Sequence, residues 1–128
     1  MDNFSEFIRN RTSKVSKNNS NCIGTALYLA GETDSDKYLS RASSKRVINN
    51  MERAIKPEIG YLVLWESDGI PIHSGVILMD NPFRIVYRDK KRKLLIQDSL
   101  DKFSDYLFKH FKVKPTYRIP NKLIKEVK

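Results

Sequence analysis

The stretch Asn21-Cys22-Ile23-Gly24-Thr25-Ala26-Leu27-Tyr28-Leu29-Ala30-Gly31 constrains this chain more than any other. Its residues are apolar nearly all round a helical wheel, and a helix of that kind is buried on most sides. Gly31 offers a stop, because a helix commonly ends on a residue in the left-handed region. The only cysteine of the chain stands where this helix begins. A thiol there meets the positive end of the helix dipole, which favours thiolate over thiol. Any fold must therefore wrap a sheet or other helices around residues 22–30, and any chemistry of the sulfur requires a base beside it.

The rest of the chain supplies the sheet. Phe4, Phe7 and Ile8 are spaced for a short amphipathic helix, and the polar run from Asn10 to Asn21 reads as a loop. A polar helix is expected from about Asp36 to Ala54, with Leu39, Ala42, Val47, Met51 and Ala54 inward and Pro57 beyond its end. Tyr61–Trp65 is a short buried strand, and Ser67-Asp68-Gly69 carries turn chemistry. A second strand runs from Ile72 to Met79. Period two puts His73, Gly75 and Ile77 on one face and Ser74, Val76 and Leu78 on the other. Asp80-Asn81-Pro82 turns the chain into Phe83–Tyr87, and Leu94–Ile96 forms a further strand. Ser99 caps a helix whose stripe is Leu100, Phe103, Leu107 and Phe111. Thr116–Ile119 is expected as a last, edge strand before a charged tail over 121–128. Helices followed by a run of antiparallel strands define an α+β class with about five strands. At 128 residues, 1–128 form a single domain, with 1–20 as an N-terminal helix and loop.

Composition limits the function classes. No window of eighteen residues is apolar enough to span a membrane, and the first seventeen residues lack the apolar segment of a secretory signal. The expected location is the cytoplasm, or outside it without a cleavable signal peptide. A single cysteine removes an internal disulfide framework and a multi-cysteine metal site. The net charge of +9 is concentrated: residues 88–128 hold 13 Lys and Arg against 5 Asp and Glu, whereas residues 1–87 hold 11 against 10. Arg88, Lys90, Lys91, Arg92 and Lys93 are candidates for binding an anionic polymer, nucleic acid included; a solvated hairpin tip is the plainer explanation. Oligomeric state is not written in the sequence.

Nucleophilic cysteine catalysis needs a thiol, an imidazole to take and return its proton, and a third group that orients the imidazole. His73 is one of two histidines and lies in a strand; Gly75, its neighbour on the same face, is small enough to admit a helix. A helix packed there would bring Cys22 beside His73. The ordinary roles of such residues are a small buried hydrophobe for a lone cysteine and a structural contact for a strand histidine. His110, among lysines at a helix end, fits a solvated position.

Together these pieces resemble a family. Asn21-Cys22-Ile23-Gly24-Thr25-Ala26-Leu27, then Ile59-Gly60-Tyr61-Leu62-Val63-Leu64-Trp65, then His73-Ser74-Gly75-Val76-Ile77-Leu78 resemble, in order and spacing, the NlpC/P60 branch of the papain-like cysteine peptidases. The resemblance covers about residues 20–100. Asn21 stands where that family commonly has Asp. The resemblance implies a cysteine-bearing helix packed on an antiparallel sheet, and hydrolysis or transfer of an amide, a cell-wall peptide among the possibilities, through a thioester without metal or organic cofactor. It implies Cys22 as nucleophile and His73 as base, then acid. For the third residue Asp89, Tyr87 and Gln97 stand open; an ionised carboxylate is the strongest acceptor for an imidazole N–H, which favours Asp89.

Overall fold

The computed structural model describes residues 3–89 and 94–127. Among them, five helices and a six-stranded antiparallel sheet form an α+β architecture. In chain order these are α1 (Asn3–Thr12), α2 (Cys22–Leu29), α3 (Arg41–Asn49), β1 (Glu52–Ala54), β2 (Leu62–Ser67), β3 (Ile70–Met79), β4 (Arg84–Asp89), β5 (Leu94–Ser99), α4 (Leu100–Phe111), β6 (Pro115–Ile119) and α5 (Asn121–Val127). The strands lie in the order β1-β6-β2-β3-β4-β5.

The alternation read along the strands sorts the core into two layers. Leu62, Leu64, Val76, Leu78 and Val86 face one way and meet Ile23, Ala26 and Leu27 of α2, Ala30 at its C-terminal end, Phe4 and Ile8 of α1, and Ile48 of α3. Val63, Trp65, Ile77, Ile85 and Tyr87 face the other way and meet Leu100 and Leu107 of α4. Helix α2 has only eight residues, too few to be stable alone. Burial of every residue from Ile23 to Leu29 holds it, and Gly31 at φ +84° ends it as expected. No described helix is long and apolar enough to cross a membrane.

Three expectations are corrected. The helix placed over 36–54 is shorter: Ser40 caps α3 through Ser43 N, and the chain then turns extended as β1. Residues ahead of Ser40 are held instead by the buried Asp36 carboxylate, which no helical periodicity reveals. Strand β6 is not an edge; it lies between β1 and β2, with Leu62 opposite Arg118 and Arg53 opposite Arg118 on its two sides. The C-terminal tail forms α5, whose start is tied back by Asn121 Nδ2 donating to Glu32 Oε1 at 2.8 Å.

Candidate functional site

Cys22 is the first residue of α2, and its surroundings explain why the helix starts there. Asn21 is extended, and its side-chain oxygen accepts from Gly24 N at 2.9 Å, satisfying one of the unpaired first-turn donors. Asn21 Nδ2 donates to Leu39 O at 2.9 Å, which draws the segment before α3 against the first turn of α2. That approach requires Gly24. A Cβ there would stand 2.0 Å from Lys37 O and 2.7 Å from Asn21 Oδ1. Asn21 thus performs the capping work that an Asp would perform. The sulfur is half-buried and donates to Arg88 O of β4 at 3.4 Å.

Behind Cys22 lies a buried polar network that sequence reasoning missed. Arg88 is 4% exposed, and its Nη2 pairs with Asp36 Oδ2 at 2.9 Å. Arg88 Nε donates to Thr25 Oγ1 at 2.7 Å, and Thr25 Oγ1 donates to Asp36 Oδ1 at 2.8 Å. Arg88 also donates to Ser16 O, and Ser20 Oγ donates to Asp36 Oδ1. One guanidinium therefore joins β4 to α2 and to both segments flanking α2. This corrects the assignment of Arg88 to an anion-binding surface. Period two along β4 puts Arg88 on the α2 face beside Val86, and its charge is taken by a buried carboxylate. The only sequence signal was a threonine inside an otherwise apolar helix. Lys90, Lys91, Arg92 and Lys93 lie outside the described residues.

His73 sits on the other layer. It pairs with Trp65 across β2, and its ring lies 4.6 Å from Phe103 of α4, 4.7 Å edge-on from Tyr87 and 5.8 Å from Trp65. Burial among these rings lowers its pKa to about 4, although the charge of Asp89 pulls it upward. The imidazole is therefore neutral at pH 7. Among the described residues its Nε2 is buried with no hydrogen-bond partner, as is Trp65 Nε1 nearby.

Gly75 does not admit α2. A Cβ at Gly75 would meet Val86 O at 3.0 Å and Tyr87 Cβ at 3.3 Å, so the missing side chain makes room for Tyr87. Cys22 reaches β4 from the α2 layer and His73 reaches it from the α4 layer. Among the described residues no hydrogen bond joins the two. What they share is the end of one strand: the sulfur is on Arg88 O, and the imidazole is against Tyr87 and under the charge of Asp89. Of the three candidates for the third position, Tyr87 touches the imidazole and Asp89 acts on it through charge. Gln97 is exposed on β5 opposite Val86, whose side chain lies in the α2 layer, away from His73. His110 is exposed on α4 beside Tyr106, at 4.4 Å between rings.

Compared with protein-family models, with curated proteins and with solved structures, the chain matches none.

Proposed function

We propose that this protein is a cysteine amidase or peptidase of papain-like arrangement, with Cys22 as nucleophile and His73 as proton acceptor and donor. The observation that carries the reading is the convergence on residues 87–89 of β4 of a helix-start thiol and a neutral imidazole whose Nε2 has no hydrogen-bond partner among the described residues. The helix dipole favours the thiolate; burial weakens the ring as a base, and the charge of Asp89 works against that loss. In the reaction the sulfur attacks the amide carbonyl carbon, and the helix-start N–H of Cys22 stabilises the oxyanion. The imidazolium returns the proton to the departing amine, leaving a thioester. Water, deprotonated by His73, then releases the acid and regenerates the thiol. Asp89 would stabilise the imidazolium by charge, and Tyr87 would hold the ring in place.

At rest the thiol is bonded to Arg88 O, so substrate must displace Cys22 from that carbonyl before attack. Catalytic contacts that form only with substrate bound are usual for this chemistry. Iodoacetamide tests the reading. Cys22 in the folded protein is expected to alkylate faster at neutral pH than in the urea-unfolded chain. A rate equal to or below that of the unfolded chain removes the activated thiol and with it the proposal.

A second reading, binding of an anionic polymer, is favoured by Lys102, Lys109, Lys112 and Lys114, all exposed on α4 and the residues just after it. It predicts affinity that falls steeply with salt and is indifferent to Cys22→Ala.

A further inference from the structure

The far end of the sheet holds a violation of strand-pairing chemistry that neither reading above uses. Arg53 of β1 stands directly opposite Arg118 of β6. Like charges facing each other across a ladder destabilise it. The same two residues line an open groove of about 340 Å³, together with Ile55, Glu66, Pro115 and Thr116. Strand β1 stops at Ala54, opposite Tyr117, so Thr116 and Pro115 extend beyond it and the groove opens there.

The two arginines differ in what holds them. Arg118 is 6% exposed, and its Nη1 donates to Ile48 O at 2.7 Å and Met51 O at 3.2 Å, so its guanidinium is fixed at the C-terminal end of α3. Burial and then the charge of Arg53 lower its pKa, while Glu66 raises it. Arg53 is exposed on the rim. Among the described residues neither arginine is ion-paired within the groove; the ion pair found is that of Arg88 with Asp36. Two arginines and one glutamate leave a single positive charge, which suits a monoanion better than a phosphate dianion. Ile55, 95% exposed, and Pro115 give that anion an apolar wall.

The geometry points to a binding site in this groove for a small carboxylic acid with an apolar body, its carboxylate held between Arg53 and Arg118. Planar guanidinium groups take a carboxylate through paired charge-assisted hydrogen bonds, and Arg118 is already fixed for it. Bound there, the carboxylate also relieves the repulsion between the facing arginines.

N-acetyl-L-leucine is the probe, with N-acetyl-L-leucinamide as its uncharged twin, titrated into isotope-labelled full-length protein and followed by amide chemical shifts. The acid is expected to shift the amides of residues 53–55 and 116–118 to saturation, and the amide twin to leave them unmoved. Arg53→Gln, at an exposed position, should weaken the acid about tenfold or more, the loss of one charge-assisted pair. Glu66→Gln should tighten it. No saturable shift with the acid, equal binding of its twin, or unchanged affinity in both variants overturns the proposal.

Discussion

The two layers that meet at β4 treat buried polarity differently. On the α2 layer Arg88, Asp36, Thr25 and Ser20 bond to one another and to backbone, and Cys22 reaches the carbonyl of Arg88. Among the described residues, His73 Nε2, Trp65 Nε1 and Ser104 Oγ on the α4 layer are buried without a hydrogen-bond partner, whereas on the α2 face of the sheet Ser74 Oγ is the one such atom. Burying a polar atom unpaired costs free energy, so the first layer, Ser74 apart, is built for fixity and the second retains more unspent hydrogen-bonding capacity. The thiol belongs to the fixed side and the imidazole to the unspent side. That division, across one strand, is what the proposed pairing of Cys22 with His73 has to resolve.

Four perturbations break or sharpen this contrast. The largest effect is expected from Arg88→Met, which strands the Asp36 carboxylate in the core and should cost about 3–5 kcal/mol in denaturant unfolding. Adding Asp36→Leu should restore much of the loss, because two apolar groups replace the pair; a single variant losing less than about 1 kcal/mol would show the network is not fixed. Next, Phe103→Ala removes the ring packed on His73, Tyr87 and Trp65 and should cost about 3 kcal/mol. It should also let the His73 pKa climb back toward its ordinary value, read by imidazole NMR titration.

Third is the pH dependence that follows from the same burial. The folded His73 pKa, about 4, lies below the ordinary 6.5 of the unfolded chain. Between those values the unfolded chain binds the extra proton, so its population grows as pH falls. This contribution is complete above pH 6.5 and lost on the way down to 4, on the order of 2 kcal/mol after discounting residual exposure. His73→Phe should flatten that part of the pH–stability curve; an unchanged curve would put the imidazole in water. The smallest effect belongs to Cys22→Ser, which keeps a donor for Arg88 O and should move stability by less than about 1 kcal/mol while abolishing alkylation.

Strands β2 to β6, the alternation along β3, the cap at Ser99 and the stop at Gly31 were legible because each rests on local chemistry: period two, a side-chain acceptor at a helix start, and glycine beyond α2. Residues 36–54 misled for a physical reason. Leu39 through Ala54 carry a helical period, yet Asp36 is drawn into the core by Arg88, fifty-two positions away, and β1 is extended by pairing with β6. Neither partner is local. The site was legible in the same partial way. Period two put His73 and Ile77 on one face of β3, and the apolar run put Cys22 at the start of α2. Which face α2 would cover was not encoded in those patterns; Gly75 pointed to the wrong one, because the space beside a glycine is equally useful to a tyrosine from the next strand.

The central claim is that the imidazole on one side of β4 serves the thiol on the other. Its most direct test is the rate of Cys22 alkylation by iodoacetamide across pH 5–9, compared between the wild-type chain and His73→Phe, with folding verified for both. The account predicts a wild-type rate at neutral pH at least about tenfold above that of the variant, with the variant requiring higher pH to catch up. Superimposable profiles would contradict it and return Cys22 and His73 to two unrelated structural roles.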